Sequence, residues 1–474
     1  MDFFQNQYGS RVLELLEEYK KEDLPWKEGK SFSYIYDAGE EVEKIGRLGA
    51  SRFLFDNGLD PTAFPSYLKM EQDILSALAQ IFHAPSTWAG NFTSGGTESI
   101  LLAVKTARDF CRDQRNVLVP ELVLPVTAHA AFHKACHYLQ VKPVLTPIDP
   151  KTFRALPEEM EKAITPNTIM LVASAPSYAH GVVDPIPEIA RIAQKHNILL
   201  HVDSCIGGML LPYFKRLGKD IPSFDFELEG VTSLSVDLHK YGFSPKGASF
   251  LIHRDRNLRQ YQFFACSNWT GYSVVNATVQ SSKSLAPLAG AWSVFFYLGD
   301  QGYLKIAQSL LEGTEKFLLR IQKEFPELEI LGKPDMTLVA LASQKVNLFH
   351  IVDEMAERGW HIQPQLAIHG LPTNIHFSFH PGNLPHLDQL LTDLRDSMEA
   401  AKKLPPSLVP SEVRSMVSNF DFSTMNLEEF FGVLQMLEIQ IPPLPKRMAE
   451  IHEFLELLPP KVRDKVLLLM CNQI

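Results

Sequence analysis

Between about Asp73 and Ile252 the sequence alternates amphipathic, helix-like segments with short apolar or β-branched runs, and no other feature constrains the fold as strongly. Ile169-Met-Leu-Val-Ala173 reads as a buried strand, and Pro187–His196 as a helix with apolar residues at helical spacing. Ile198-Leu-Leu-His-Val-Asp203 is then the next strand, ending on a carboxylate. Such alternation predicts an α/β fold with a mostly parallel sheet flanked by helices. In open sheets of this kind ligands gather at the carboxyl ends of strands, which puts Asp203 where chemistry is done.

At 474 residues the chain is about three times a typical domain, so more than one lobe is expected. After Ala286 the pattern changes to a long apolar helix through Trp292 and Leu298, followed by helices and shorter strands to about Lys403. A proline cluster, Leu404-Pro-Pro-Ser-Leu-Val-Pro410, precedes a tail with helical faces at Leu427–Leu437 and Val462–Met470. The expected division is an N-terminal segment at 1–72, a large α/β domain at 73–285, a small α/β domain at 286–403 and a helical tail at 404–474.

The net charge of −10, with no dense Lys/Arg stripe, argues against a nucleic-acid binder. Cysteines 111, 136, 205, 266 and 471 form neither close pairs nor metal-like spacings, so the expectation is a reducing cytoplasm and no metal. The first residues lack a basic region followed by an apolar segment, and no run approaches the roughly 20 apolar residues that span a bilayer. A protein without a transmembrane segment is expected.

Four elements carry chemistry, in this order. Thr93-Ser-Gly-Gly-Thr-Glu-Ser99 precedes the helical run Ile100–Ala107. Gly95 and Gly96 let backbone approach an anion, while a helix N-terminus and the Thr97 hydroxyl supply donors; a plain glycine turn with a Ser/Thr cap reads equally well from these residues alone. His129 follows the apolar run Val123-Leu-Pro-Val126, where an imidazole could stack on a flat ring or simply serve packing. Asp203 could keep a pyridine nitrogen protonated, or cap a strand end. Ser235-Val-Asp-Leu-His-Lys-Tyr-Gly-Phe-Ser-Pro-Lys-Gly247 places His239 and Lys240 among tight turns, as expected of a lysine that carries pyridoxal phosphate as a Schiff base. Each element alone is ambiguous, but together they meet one cofactor's requirements.

On these residues the chain resembles fold-type I pyridoxal-phosphate enzymes of the group II decarboxylase superfamily, and within it the sphingosine-1-phosphate lyase family in its soluble bacterial form. The likeness rests on Thr93–Ile100, His201-Val-Asp-Ser-Cys-Ile-Gly-Gly208 and Ser235–Gly247, and continues in Ala175-Pro-Ser-Tyr-Ala-His-Gly181, Tyr261–Phe264, Trp269, Asn57, Phe64-Pro65 and Lys69-Met-Glu71. The resemblance implies that Lys240 carries pyridoxal 5'-phosphate, His129 stacks on its ring, Asp203 pairs with its nitrogen and Cys205 packs on the other face. It also implies that Gly95, Gly96, Thr97 and His239 hold the cofactor phosphate. Tyr36 and Lys246 match positions near the substrate phosphate or reacting hydroxyl, and Thr278 one that reaches a neighbouring subunit's cofactor in a homodimer.

The sequence departs from the family in Thr270–Lys283, where turn glycines, a proline and a tyrosine are missing and Lys283 replaces an arginine. Because a guanidinium grips an oxyanion with two donors and an ammonium does not, that exchange is not neutral. Asp60 stands where the family has histidine, and a carboxylate beside a phosphate would repel it. Three readings follow. The first is retro-aldol cleavage of a phosphorylated sphingoid base to a long-chain aldehyde and phosphoethanolamine. The second is amino-acid decarboxylation on the same cofactor, and the third a degenerate homologue acting through its helical tail.

Overall fold

The computed structural model describes residues 9–407, 409–411, 414–415 and 446–473. Thirteen strands occur among them: β1 Ala89–Thr93, β2 Glu121–Pro125, β3 Lys142–Thr146, β4 Thr168–Ser174, β5 Leu199–Asp203, β6 Ser233–Asp237, β7 Ser249–His253, β8 Phe264–Cys266, β9 Val274–Asn276, β10 Glu329–Ile330, β11 Leu338–Ala342, β12 Gln363–Gln365 and β13 Asn374–Ser378. The first seven form one sheet in the order β1-β7-β6-β5-β4-β2-β3. From β6 to β3 every neighbouring pair is parallel, and β7 alone runs against the rest, between β1 and β6. This is the expected α/β fold with a mostly parallel sheet. β4 contains the run Ile169–Ala173 and every residue of it is buried, as a strand covered by helices on both faces must be. The helix Ile186–His196 contains Pro187–His196, turns Ile189, Ala190 and Ala193 to the core and opens with proline in its first turn, where a missing N–H costs nothing.

Register places the chemistry. Ser174 of β4 pairs with Asp203 of β5, and Asp203 with Ser235 of β6. Thr93 at the end of β1 and Asp237 at the end of β6 both pair with Ser249 of β7. The carboxyl ends of β1, β4, β5 and β6 therefore lie along one edge.

The long helix Ala286–Glu324 covers the expected apolar helix and breaks at Gly299, whose φ of 54° lies in the left-handed region. Beyond it β10, β11, β13 and β12 form an antiparallel four-stranded sheet around a second apolar core. The N-terminal segment enters this core: Phe32 is wholly buried, stacks on Trp360 at 5.9 Å and meets Phe377 and Phe379 edge-on at 5.1 and 5.2 Å. In the tail, helices Ala449–Leu457 and Pro460–Gln473 are described, the second containing Val462–Met470, whereas Leu427–Leu437 lies outside the described residues. No helix among the described residues is long and apolar enough to cross a membrane.

Candidate active site

A cavity of about 360 Å³ opens at the carboxyl ends of the large sheet, lined by Gly95, Gly96, Thr97, His129, Asp203, Cys205, His239 and Lys240. Local sequence explains each position. Gly95 and Gly96 end the turn after β1, and the helix Gly96–Arg115 begins inside the glycine motif, so its first free N–H groups face the cavity edge. A Cβ on Gly96 would lie 2.7 Å from Asp237 Oδ2 and 2.8 Å from Cys205 Sγ, so only bare backbone fits there. Glu98, one turn on, accepts from Ser94 N–H at 2.6 Å and from Val279 N–H at 2.8 Å, tying the glycine turn to the segment that departs from the family.

His129 caps the helix Ala130–Leu139: its Nδ1 accepts from Ala131 N–H at 3.1 Å. Burial pushes its pKa down, so the ring is neutral and its proton sits on Nε2. Asp203 is buried at the end of β5 and accepts from Cys205 N–H at 3.0 Å. Cys205 donates to Ser235 Oγ at 3.2 Å, and burial together with Asp203 and Asp237 holds its thiol well above the usual range.

Lys240 occupies the turn after β6, with Nζ 3.0 Å from Asp237 Oδ2. Burial would lower its pKa, but the carboxylates, Asp237 foremost and then Asp203, outweigh that and hold it above the ordinary value. Asp237 is the converse case: burial opposes its charge, and Lys240 and His239 more than offset this and keep it low. His239 Nδ1 accepts from Ala248 N–H at 3.1 Å, and its Nε2 is 3.6 Å from Asp237.

A second cavity of about 490 Å³ shares His239 and is lined by apolar Val42, Ala50, Leu54, Phe243 and Pro245 together with Tyr36 and Lys246. The Lys246 ammonium lies 5.1 Å from the Tyr36 ring centroid and donates to the His239 carbonyl at 3.1 Å. Burial and the charge on Lys240 bring its pKa down to about 8. Tyr36 packs edge-on against Tyr241 at 4.8 Å, and burial pushes its phenol up, so it is neutral.

Thr278 is not among the residues of either cavity; its hydroxyl is engaged in its own turn, donating to Gln280 O at 2.8 Å and accepting from Lys283 Nζ at 2.8 Å. Asp60 is also absent from both cavity walls, and its exposed carboxylate accepts from the Thr62 N–H and hydroxyl at 2.8 and 2.7 Å. Sequence reasoning assigned no role to Asp237 or to Tyr178, which lines the first cavity and donates to Gln363 Oε1 at 2.9 Å. The signal for Asp237 was available: it ends a strand of the parallel sheet, as Asp203 does.

These residues suit a phosphorylated aldehyde cofactor. The cradle admits only backbone, its donors are helix N–H groups and an imidazole, and a carboxylate and a lysine stand on the other walls.

Comparison with known proteins agrees. The pyridoxal-dependent decarboxylase conserved domain matches residues 28–344, and a C-terminal domain of helix-turn-helix type found on pyridoxal-dependent enzymes matches residues 411–472. Sphingosine-1-phosphate lyase of Arabidopsis thaliana is 37% identical over 84% of this chain and 73% of its own length. That of Dictyostelium discoideum is 36% identical over 83% and 74%. The structure of a Burkholderia pseudomallei sphingosine-1-phosphate lyase superposes with a TM-score of 0.81 at 30% identity, covering 93% of this chain and 97% of that one. With the lysine turn, the glycine cradle and the strand-end aspartate meeting in one cavity, the chain belongs to the sphingosine-1-phosphate lyase family of pyridoxal-phosphate-dependent enzymes.

Proposed function

We propose that this chain is a carbon–carbon lyase that cleaves phosphorylated long-chain bases of the sphingosine 1-phosphate kind to a long-chain aldehyde and phosphoethanolamine. The observation that carries the reading is the meeting of two unlike cavities at His239: a polar one holding Lys240, and an apolar one with Lys246 and Tyr36 on its wall. A substrate with an amine and a phosphate at one end and an aliphatic chain at the other uses both. A free amino acid has no use for the second.

In this reading Gly95, Gly96, Thr97 and His239 would hold the cofactor phosphate, Lys240 would carry the cofactor, and Asp203 would meet its ring nitrogen. His129 and Cys205 would cover the two ring faces, both uncharged because burial keeps the imidazole neutral and the thiol protonated. Once bound, the cofactor supplies an electron sink for the bond broken beside the amine-bearing carbon. Lys246 holds the substrate phosphate as a point charge, with Tyr36 beside it at the reacting hydroxyl. Lys240 Nζ returns the proton to carbon after cleavage. The lyase works as a cytoplasmic homodimer in which the segment Thr270–Lys283 with Thr278 faces the neighbouring subunit; exposed Tyr272 on that segment and exposed Trp269 just before it support such a contact.

The purified protein incubated with a phosphorylated sphingoid base is expected to release aldehyde and phosphoethanolamine in equal amounts, and Lys240→Ala to release neither and to lack cofactor absorbance. A panel of L-amino acids run in parallel is expected to yield no carbon dioxide. Carbon dioxide without aldehyde would overturn the lyase reading in favour of a decarboxylase. Light scattering checks the dimer.

A further inference from the structure

We propose that Asp237 is a positioning residue that gates cofactor attachment: it holds the Lys240 amine as an ammonium until an anion is seated in the adjacent glycine turn. The inference rests on the family's cofactor and not on the substrate, and its assay contains no substrate, so the two readings fail separately.

Geometry carries the argument. Asp237 closes β6 three residues before Lys240, its side chain is 1% exposed, and its Oδ2 lies 3.0 Å from Nζ. An ammonium has no lone pair to offer an aldehyde, so attachment must wait until this proton leaves. A carboxylate at this distance favours the charged form of the amine, so Lys240 holds its proton more firmly than an unpaired lysine in the same cavity would. The same carboxylate lies directly against the glycine turn, where a Cβ on Gly96 would be 2.7 Å from Oδ2 and 2.9 Å from Oδ1. A phosphate seated in that turn therefore places like charge beside Asp237, and like charge favours the protonated carboxyl. The proton that Asp237 takes up is the one Lys240 gives away. Lys240 then forms a C=N bond to the aldehyde carbon, and the aldehyde oxygen leaves as water with the amine's two remaining hydrogens.

The other groups facing Lys240 do not duplicate this device. At the end of β5, Asp203 also favours the ammonium but accepts from the Cys205 N–H, whereas Asp237 is the carboxylate paired with Nζ, and the Cys205 thiol is held protonated. From the N-terminal segment, Tyr36 is held neutral by burial, and His129 and His239 are pushed the same way by theirs. Lys246, a cation up to about pH 8, opposes a second positive charge on Lys240. Without Asp237, burial and Lys246 would both favour the free amine, with Asp203 the remaining carboxylate opposing them.

The test follows attachment of pyridoxal and of pyridoxal 5'-phosphate to the full-length apoprotein by visible absorbance from pH 6 to 9. In the wild type, pyridoxal, which brings no phosphate, is expected to attach slowly at pH 7 and to be accelerated by inorganic phosphate. In Asp237→Asn it is expected to attach at least about tenfold faster at pH 7 without added phosphate, with the bend of the pH profile displaced at least about one unit downward. Near-ultraviolet circular dichroism confirms folding, and Asp237→Ser replaces the asparagine variant if that one misfolds. A folded variant whose pyridoxal profile coincides with that of the wild type, or whose attachment is slower, overturns the proposal. So does a displacement seen with pyridoxal 5'-phosphate alone, because Asp237 would then act on the phosphate and not on the amine.

Discussion

Lys246 is a cation whose charge depends on conditions close to physiological pH. Burial beside Lys240 brings it to about 8, so it is charged below that value and neutral above it. If it binds the substrate phosphate, KM for a phosphorylated base rises above pH 8, toward tenfold per pH unit, while kcat changes less. Lys246→Arg keeps its charge throughout and flattens that rise; equal slopes in the two proteins would exclude the role. At this scale the sequence was informative where residue type restricts chemistry. Gly95, Gly96, Thr97, His129, Asp203, Cys205, His239 and Lys240 all line one cavity. It was less informative where a side chain's role depends on what it faces. Asp237 shares a strand-end position with Asp203, but its pairing with Lys240 emerges only in the fold, as do the cavity-wall place of Tyr178 and its contact with Gln363.

At the scale of elements, the helix Ala449–Leu457 is fastened to the body by buried carboxylates. Asp353 accepts from Met448 and Ala449 N–H at 2.8 and 3.1 Å, capping that helix from the helix Leu348–Glu357. Glu453 is 5% exposed and accepts from Ser407 at 2.8 Å and from Asn347. Asp353→Ala removes a cap worth about 1–2 kcal/mol, so trypsin cleavage after Lys446 and Arg447 should accelerate about tenfold with lyase activity retained. An unchanged cleavage rate would mean that the cap does not hold the tail. Periodicity had marked the strand Ile169–Ala173 and the helix Pro187–His196 because both patterns are local. The direction of β7 follows from loop length: Leu238–Ala248 is too short for a crossover helix, so the chain turns back antiparallel. No local pattern marks β1 as the neighbour of β7, since that pairing joins residues about 160 positions apart.

Across the whole molecule, four buried histidines link folding to pH. His180, His201, His253 and His376 are pushed by burial from an ordinary 6.5 to about 4. Between those values the unfolded chain binds protons that the folded one refuses. The stabilisation is therefore complete above pH 6.5 and is lost as pH falls toward 4, at up to about 1.4 kcal/mol per unit for each histidine. Calorimetry should find Tm lower by at least about 5 °C at pH 4.5 than at pH 7, and a flat profile would contradict it. The α/β class and most residues of the polar cavity, though not the placement of Thr278, were legible in the chain because periodicity and reactive residue types are properties of short stretches. Three features required the assembled fold: Phe32 in the second core, Asp237 against Lys240, and the two cavities joined at His239. Each depends on which distant segments come to lie side by side, and that is settled by packing and strand register among residues that no local window of sequence contains.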